Sequence, residues 1–89
     1  FDEVLMRKAQ IRAKQGRYVE ADSLLQRLID FYPYDITADD ALMLQAELNE
    51  DKLGNFEKAR ECYEKLLLDY PTSLYVDRAR KSYNALKAR

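Results

Sequence analysis

The chain has 89 residues, of which 47% are hydrophobic and 35% are charged, and its net charge is −1. This length suits one small domain, and the apolar content excludes a disordered chain. No run of 18 apolar residues occurs, so no membrane insertion is expected, and there is no histidine for acid–base or metal chemistry. Leu, Ala, Glu, Lys and Arg predominate, while Gly and Pro occur only twice each, which predicts an all-α fold.

The first half of the chain is typical of a helical hairpin. Apolar residues recur at helical spacing from Val4 to Ile11, and Gly16 then provides a residue suited to a left-handed turn. A second apolar stripe follows between positions 21 and 29, and Pro33 ends this second helix because proline cannot continue it.

The same pattern returns further along the chain. Gly54 follows Gly16 by 38 residues, and Pro71 follows Pro33 by the same interval. Upstream of the glycines the period is 37, so one residue is inserted in the second turn, between Leu48 and Gly54. Repeated hairpins are expected to stack, because one hairpin cannot bury its apolar stripe alone.

Helix starts are predicted after each proline. Thr37 with Asp40 resembles a capping box, and Ser73 is a candidate cap for a last helix from Leu74 to about Ala88. This last helix has no partner hairpin, so it is expected to close the stack.

These marker residues resemble the tetratricopeptide repeat: a turn glycine, an aromatic two residues later, an alanine three after that, and a proline after the second helix. The resemblance implies a right-handed α-solenoid of antiparallel helical hairpins, part of a longer repeat protein. Repeat 1 would cover residues 1–33, repeat 2 residues 34–71, and a capping helix residues 72–89. The chain departs from the family at Leu5 and Leu42, where tryptophan is usual, and its repeats are longer.

The segment YPTSLYVDRARKSYNALK, residues 70–87, also resembles repeat ends in bacterial cell-envelope proteins of the Tol–Pal and outer-membrane-assembly type. That resemblance implies a periplasmic or membrane-attached location. The repeat family implies a protein–protein interaction scaffold that binds a peptide or protein and is not an enzyme.

Few side chains in the sequence suggest chemistry. Cys62 lies on the apolar stripe before Tyr63 and is predicted to be a buried structural thiol. Glu47 and Glu50 could share a helix face as metal ligands, but the histidine partner of helical di-iron sites is missing and ordinary helix chemistry is sufficient to explain them. Because the chain has neither a glycine-rich phosphate loop nor a histidine, no cofactor or metal is expected.

The charge distribution suggests a binding surface. Residues 34–71 carry a net charge of −6, whereas residues 72–89 carry +4. The family resemblance implies that the first helix of each hairpin lines a concave groove. Its expected lining is Glu3, Met6, Gln10, Lys14, Asp40, Met43, Glu47, Glu50, Asp51, Arg78 and Lys81. This acidic stripe between basic flanks predicts a partner segment with Lys or Arg beside an apolar anchor.

Three further expectations concern the role and the contacts of the chain. As an alternative to a binding scaffold, it could be a purely structural end of a longer solenoid, because its last helix has a polar, basic outer face. Nucleic acid is disfavoured by the pI of about 5.4. Phe1, Val4 and Leu5 are expected to form an exposed apolar edge that self-associates or is covered by a neighbouring repeat.

Overall fold

The structure, a computed structural model, describes residues 2–88, and the described part is built from helices without strands. The prediction of an all-α fold is confirmed. The helices are α1 (Asp2–Lys14), α2 (Tyr18–Phe31), α3 (Ala38–Asp51), α4 (Phe56–Asp69) and α5 (Val76–Lys87). Each helix packs on the next one along the chain, so α1–α2 and α3–α4 form two hairpins and α5 closes the second. No helix within residues 2–88 has both the length and the apolar character needed to cross a bilayer.

Both hairpin turns depend on a glycine in the left-handed region. Gly16 has φ +78° and Gly54 has φ +66°, as the repeat pattern predicted. In the first turn the Arg17 amide donates to the Arg12 carbonyl at 2.8 Å, and in the second the Asn55 amide donates to the Asn49 carbonyl at 2.8 Å. The donors are 38 residues apart and the acceptors 37. The structure therefore confirms the one-residue insertion and places it between Asn49 and Asn55.

Thr37 occupies the predicted cap position before α3, but the predicted capping contact needs correction. The Thr37 side chain makes no capping hydrogen bond to α3, and Asp35 accepts instead from the Thr37 amide and hydroxyl, each at 3.1 Å. The predicted capping box with Asp40 is therefore wrong. An aspartate two residues upstream competes successfully because its short side chain closes a turn over its own backbone.

The start of the last helix also differs from the prediction. α5 begins at Val76, not Leu74, and Ser73 lies in the preceding turn. The Ser73 hydroxyl accepts from the Tyr75 amide at 3.1 Å and donates to Asp39 at 2.6 Å. Ser73 therefore ties the α4–α5 loop to the start of α3. A capping side chain that the sequence analysis missed is Asn55, which accepts from the Lys58 amide at the start of α4.

The core runs between the two layers of helices. Its largest fully buried apolar side chains are Leu25 and Leu28 of α2, Leu42 of α3, and Tyr63 and Leu66 of α4. Ala21 and Ala59, at equivalent positions of the two second helices, are also fully buried, and their small size allows neighbouring helices to approach closely. The described residues thus form one continuous core that joins both hairpins.

The predicted apolar edge at α1 is present only in part. Val4 is 51% exposed and Ile11 is 43% exposed. Leu5 is partly buried and packs against the core, so its assignment to the exposed edge is wrong. Phe1 lies outside the described residues.

Two clefts on the first-helix face

A cleft of about 360 Å³ lies between the first helices of the hairpins and α5. We call it the central cleft. It is lined by Met6, Gln10, Asp40, Met43, Leu44, Glu47, Tyr75 and Arg78. Helices α1 and α3 provide most of the lining, and α5 with the residue before it closes one side. The cleft exists because alternate helices of stacked hairpins lie side by side on one face of the solenoid.

Apolar and charged groups are combined in the central cleft. Met43 is almost fully buried and Met6 and Leu44 are partly buried, so the floor is apolar. An Arg78 nitrogen lies 2.6 Å from a carboxylate oxygen of Glu47, which links α5 to α3. This pair neutralises part of the acidic stripe that the sequence analysis predicted.

Tyr75 lies near two charged groups of the central cleft, Asp40 and Arg78. The neighbouring Asp40 carboxylate raises the pKa of Tyr75 above its ordinary value, because it disfavours the ionised phenol. The Arg78 guanidinium carbon also lies 5.6 Å from the centre of the Tyr75 ring, within the range of a cation–π contact.

A second cleft, the turn cleft, adjoins the first and measures about 380 Å³. Its lining is Ala13, Lys14, Tyr18, Leu44, Glu47, Leu48, Asp51 and Lys52. The Lys52 ammonium lies 5.8 Å from the centre of the Tyr18 ring. Leu44 and Glu47 line both clefts, so the two form one continuous surface across α1 and α3.

Most of the residues expected to line the groove lie in these clefts. Met6, Gln10, Asp40, Met43, Glu47 and Arg78 are brought together in the central cleft, and Lys14 and Asp51 lie in the turn cleft. Three expected residues lie in neither. Glu3 lies in a separate depression on the outer side of α1, Lys81 is exposed elsewhere on α5, and Glu50 accepts a hydrogen bond from the Tyr63 hydroxyl at 2.8 Å.

Six lining residues were missed by the sequence analysis. They are Ala13, Tyr18, Leu44, Leu48, Lys52 and Tyr75. Tyr75 stands 38 residues after Thr37, so the repeat period could have placed it at the start of the next first-type helix. Tyr18 is the aromatic residue two positions after the turn glycine; it packs partly against the core and also lines the turn cleft.

The two carboxylates considered as metal ligands contact different partners. Glu47 pairs with Arg78, whereas Glu50 contacts Tyr63. Within residues 2–88, no group of three or more Cys, Asp or Glu side chains is arranged to hold a metal ion. The pKa of the Tyr63 phenol is raised, mainly by burial and then by its hydrogen bond to Glu50, so ionisation of Tyr63 is disfavoured.

Cys62 lies on the opposite side of α3 from the clefts. Its side chain is buried, and the sulfur donates a weak hydrogen bond to the Gln45 side-chain oxygen at 3.5 Å. Burial raises the pKa of the Cys62 thiol from 9.0 to about 11. The prediction of a buried thiol is confirmed.

We expect Cys62 to react slowly with a disulfide reagent. At pH 8 the raised pKa lowers the thiolate fraction about a hundredfold relative to the unfolded chain. Reaction should therefore be at least a hundredfold slower in buffer than in denaturant. Because the unfolded thiol ionises near pH 9.0, the free energy of unfolding should fall as the pH rises from 9.0 towards 11. Equal reaction rates with and without denaturant would contradict this assignment.

Stacked antiparallel hairpins with a lined first-helix face define a helical repeat protein. Residues 3–33 and 40–73 each match the tetratricopeptide repeat family. Together the two matches cover well over half of the chain, and the chain therefore belongs to this family. Its members typically mediate protein–protein interactions as scaffolds without enzymatic activity. A comparison with curated protein sequences gave no significant match.

Proposed function

We propose that this chain is a non-enzymatic scaffold that binds a peptide or protein segment across the central and turn clefts. The main support is that six residues expected to line a groove converge in one cleft from three different helices. An apolar floor beside charged groups is the usual composition of a binding site.

The composition of the central cleft favours a partner segment with Lys or Arg next to an apolar side chain. Asp40 and Glu47 bring two negative charges and Arg78 one positive charge, so the cleft has a net charge of −1. Methionine side chains adapt to apolar partners of different shapes, which suits Met6 and Met43 to receive an anchor residue.

A charge reversal tests this proposal. A displayed library of random peptides is selected on the folded chain, and the enriched peptides are titrated against Glu47→Lys and Glu61→Lys variants. Glu61 is exposed on α4, so its variant has the same change of charge away from both clefts. We expect basic–apolar peptides to be enriched, and Glu47→Lys to weaken their binding at least tenfold, about 1.4 kcal/mol.

The Glu61→Lys variant should change the affinity for the peptides by no more than about twofold, because physiological salt screens charges that lie far from the ligand. Circular dichroism must show equal helix content in both variants. Peptides without basic residues, or equal losses in the two variants, would contradict the proposal.

The alternative function is that of a structural end of a longer solenoid. It is favoured by the outer side of α5, where Arg80, Lys81, Asn84 and Lys87 are exposed. A polar outer face keeps a terminal repeat soluble. If the peptide selection enriches nothing, this alternative becomes the better account of the chain.

The outer side of α1 has an apolar edge that suits a contact with another repeat or another copy of the chain. Val4 and Ile11 line a depression with Arg7 and Lys8, and the equivalent residues of α3, Ala41 and Leu48, are buried. We expect this edge to be covered by a preceding repeat or by a second copy. Sedimentation at rising concentration should show association that Val4→Lys reduces, whereas Val19→Lys, at an exposed valine of α2, should not. A monomer at every concentration would argue against self-association.

The resemblance of residues 70–87 to cell-envelope repeat proteins supports a periplasmic or membrane-attached location in a bacterium. Fractionation of the native host, followed by detection with an antibody to this chain, tests that location directly. Recovery in the cytoplasm alone would contradict it.

A further inference from the structure

The central cleft already holds a guanidinium group, that of Arg78. One Arg78 nitrogen lies 2.6 Å from Glu47, and the guanidinium carbon lies 5.6 Å from the centre of the Tyr75 ring. A carboxylate and an aromatic ring face are the groups with which proteins recognise arginine. The cleft therefore has the groups of an arginine site, and the chain's own side chain occupies it.

The Arg78–Glu47 contact is of a kind that opens readily. The Arg78 side chain is 61% exposed and the Glu47 side chain 37% exposed. Exposed ion pairs favour the paired form by only about one-and-a-half- to fivefold. An incoming arginine can thus replace Arg78 at Glu47 at little cost, while Arg78 swings into solvent.

We propose that Arg78 is an internal competitor, which occupies the position where the partner segment places an arginine side chain. This inference rests on the proposed function, because it assumes that the central cleft is the binding site. It also makes the ligand class more specific. Arginine should bind better than lysine, since only a planar guanidinium can pair with Glu47 and stack on Tyr75 together.

The chain offers a matched control for Arg78. Arg80 lies two residues further along α5, is exposed, and pairs with Asp77 on the same helix at 3.3 Å. Replacing either arginine with alanine removes one positive charge from α5. Only the loss of Arg78 frees Glu47 and changes the net charge of the central cleft from −1 to −2.

The probe is the tripeptide amide acetyl-Leu-Arg-Leu, with lysine and citrulline counterparts, titrated into ¹⁵N-labelled protein and followed by NMR. We expect shifts at Leu44, Glu47 and Tyr75, and movement of the Arg78 side-chain Nε–Hε signal as it is displaced. Relative to the native chain, Arg78→Ala should bind the arginine peptide about two- to fivefold more tightly. Arg80→Ala should change binding by less than 1.5-fold, and Glu47→Gln should weaken it about two- to fivefold.

The possible results separate this inference from the proposed function. If the native chain binds the peptide and Glu47→Gln weakens binding, but Arg78→Ala does not bind more tightly than Arg80→Ala, only the competitor role of Arg78 is overturned. Tighter binding of lysine or citrulline peptides than of the arginine peptide would overturn the arginine site. If no peptide shifts the cleft residues of any variant, the binding cleft and this inference both fail.

Discussion

Replacing Leu66 with alanine is expected to lower the free energy of unfolding by about 2–5 kcal/mol. Leu66 is fully buried in α4 and belongs to the core that joins both hairpins. The substitution removes apolar contacts and leaves a cavity that the surrounding helices fill only in part. In a domain of this size such a loss is a large share of the total stability. Urea unfolding followed by circular dichroism measures the change.

Leu68 provides the matched control for this experiment. It lies on the same helix, two residues after Leu66, and is 72% exposed. Its replacement with alanine should change the free energy of unfolding by no more than about 0.5 kcal/mol. If Leu66→Ala were as mild as Leu68→Ala, the second hairpin would not share its core with the first.

The fold was largely predictable because the repeat signals are local. A glycine in the left-handed region and a proline after the second helix each act through their own backbone, so their spacing gives the order and length of the helices. Thr37 is the N-cap residue of α3, as predicted, but its capping contact and the start of α5 at Val76 were not predicted correctly, because several polar side chains compete for the same few amides. Asp35 accepts hydrogen bonds from Thr37, and which side chain prevails depends on loop geometry.

The candidate site was predictable to the extent that helical periodicity determines which face a residue occupies. Met6 and Gln10, or Met43 and Glu47, are four residues apart and share a face, and the structure places all four in the central cleft. Glu50 follows Glu47 by only three residues, yet it lies towards α4, where the Tyr63 hydroxyl is available. At such borderline positions the contacts with a neighbouring helix decide which way a side chain turns. Helical periodicity gives no information about those contacts.

A buried polar cluster between the hairpins was not predicted at all. Gln45 and Asn49 of α3 are each 1% exposed, although both have the polar side chains expected at a surface. The Asn49 amide donates to Asp22 of α2 at 2.8 Å, and Asp22 pairs with Lys58 of α4 at 2.6 Å. Gln45 donates to Gln26 of α2 at 2.9 Å. The cluster therefore connects three helices and favours one register of the two hairpins.

Replacing Asn49 with alanine is expected to lower the free energy of unfolding by about 2–3 kcal/mol. The substitution removes a donor from the largely buried carboxylate of Asp22 and leaves a small cavity beside it. Hydrogen bonds to charged groups contribute more than neutral ones, and a buried acceptor without its donor is costly. Urea unfolding measures the loss, with Asn84→Ala, at an exposed asparagine of α5, as the control of the same residue type.

A double-mutant cycle separates the hydrogen bond from simple loss of packing. The Asp22→Ala, Asn49→Ala double variant lacks both side chains, so no buried group is left without its hydrogen-bond partner. Its loss in free energy of unfolding should therefore be smaller than the sum of the two single losses, by about 1 kcal/mol or more. The Asn84→Ala control should stay within about 0.5 kcal/mol of the native chain. Additive losses would mean that Asp22 and Asn49 stabilise the fold independently. The register of the hairpins would then depend on the apolar core and not on this polar cluster.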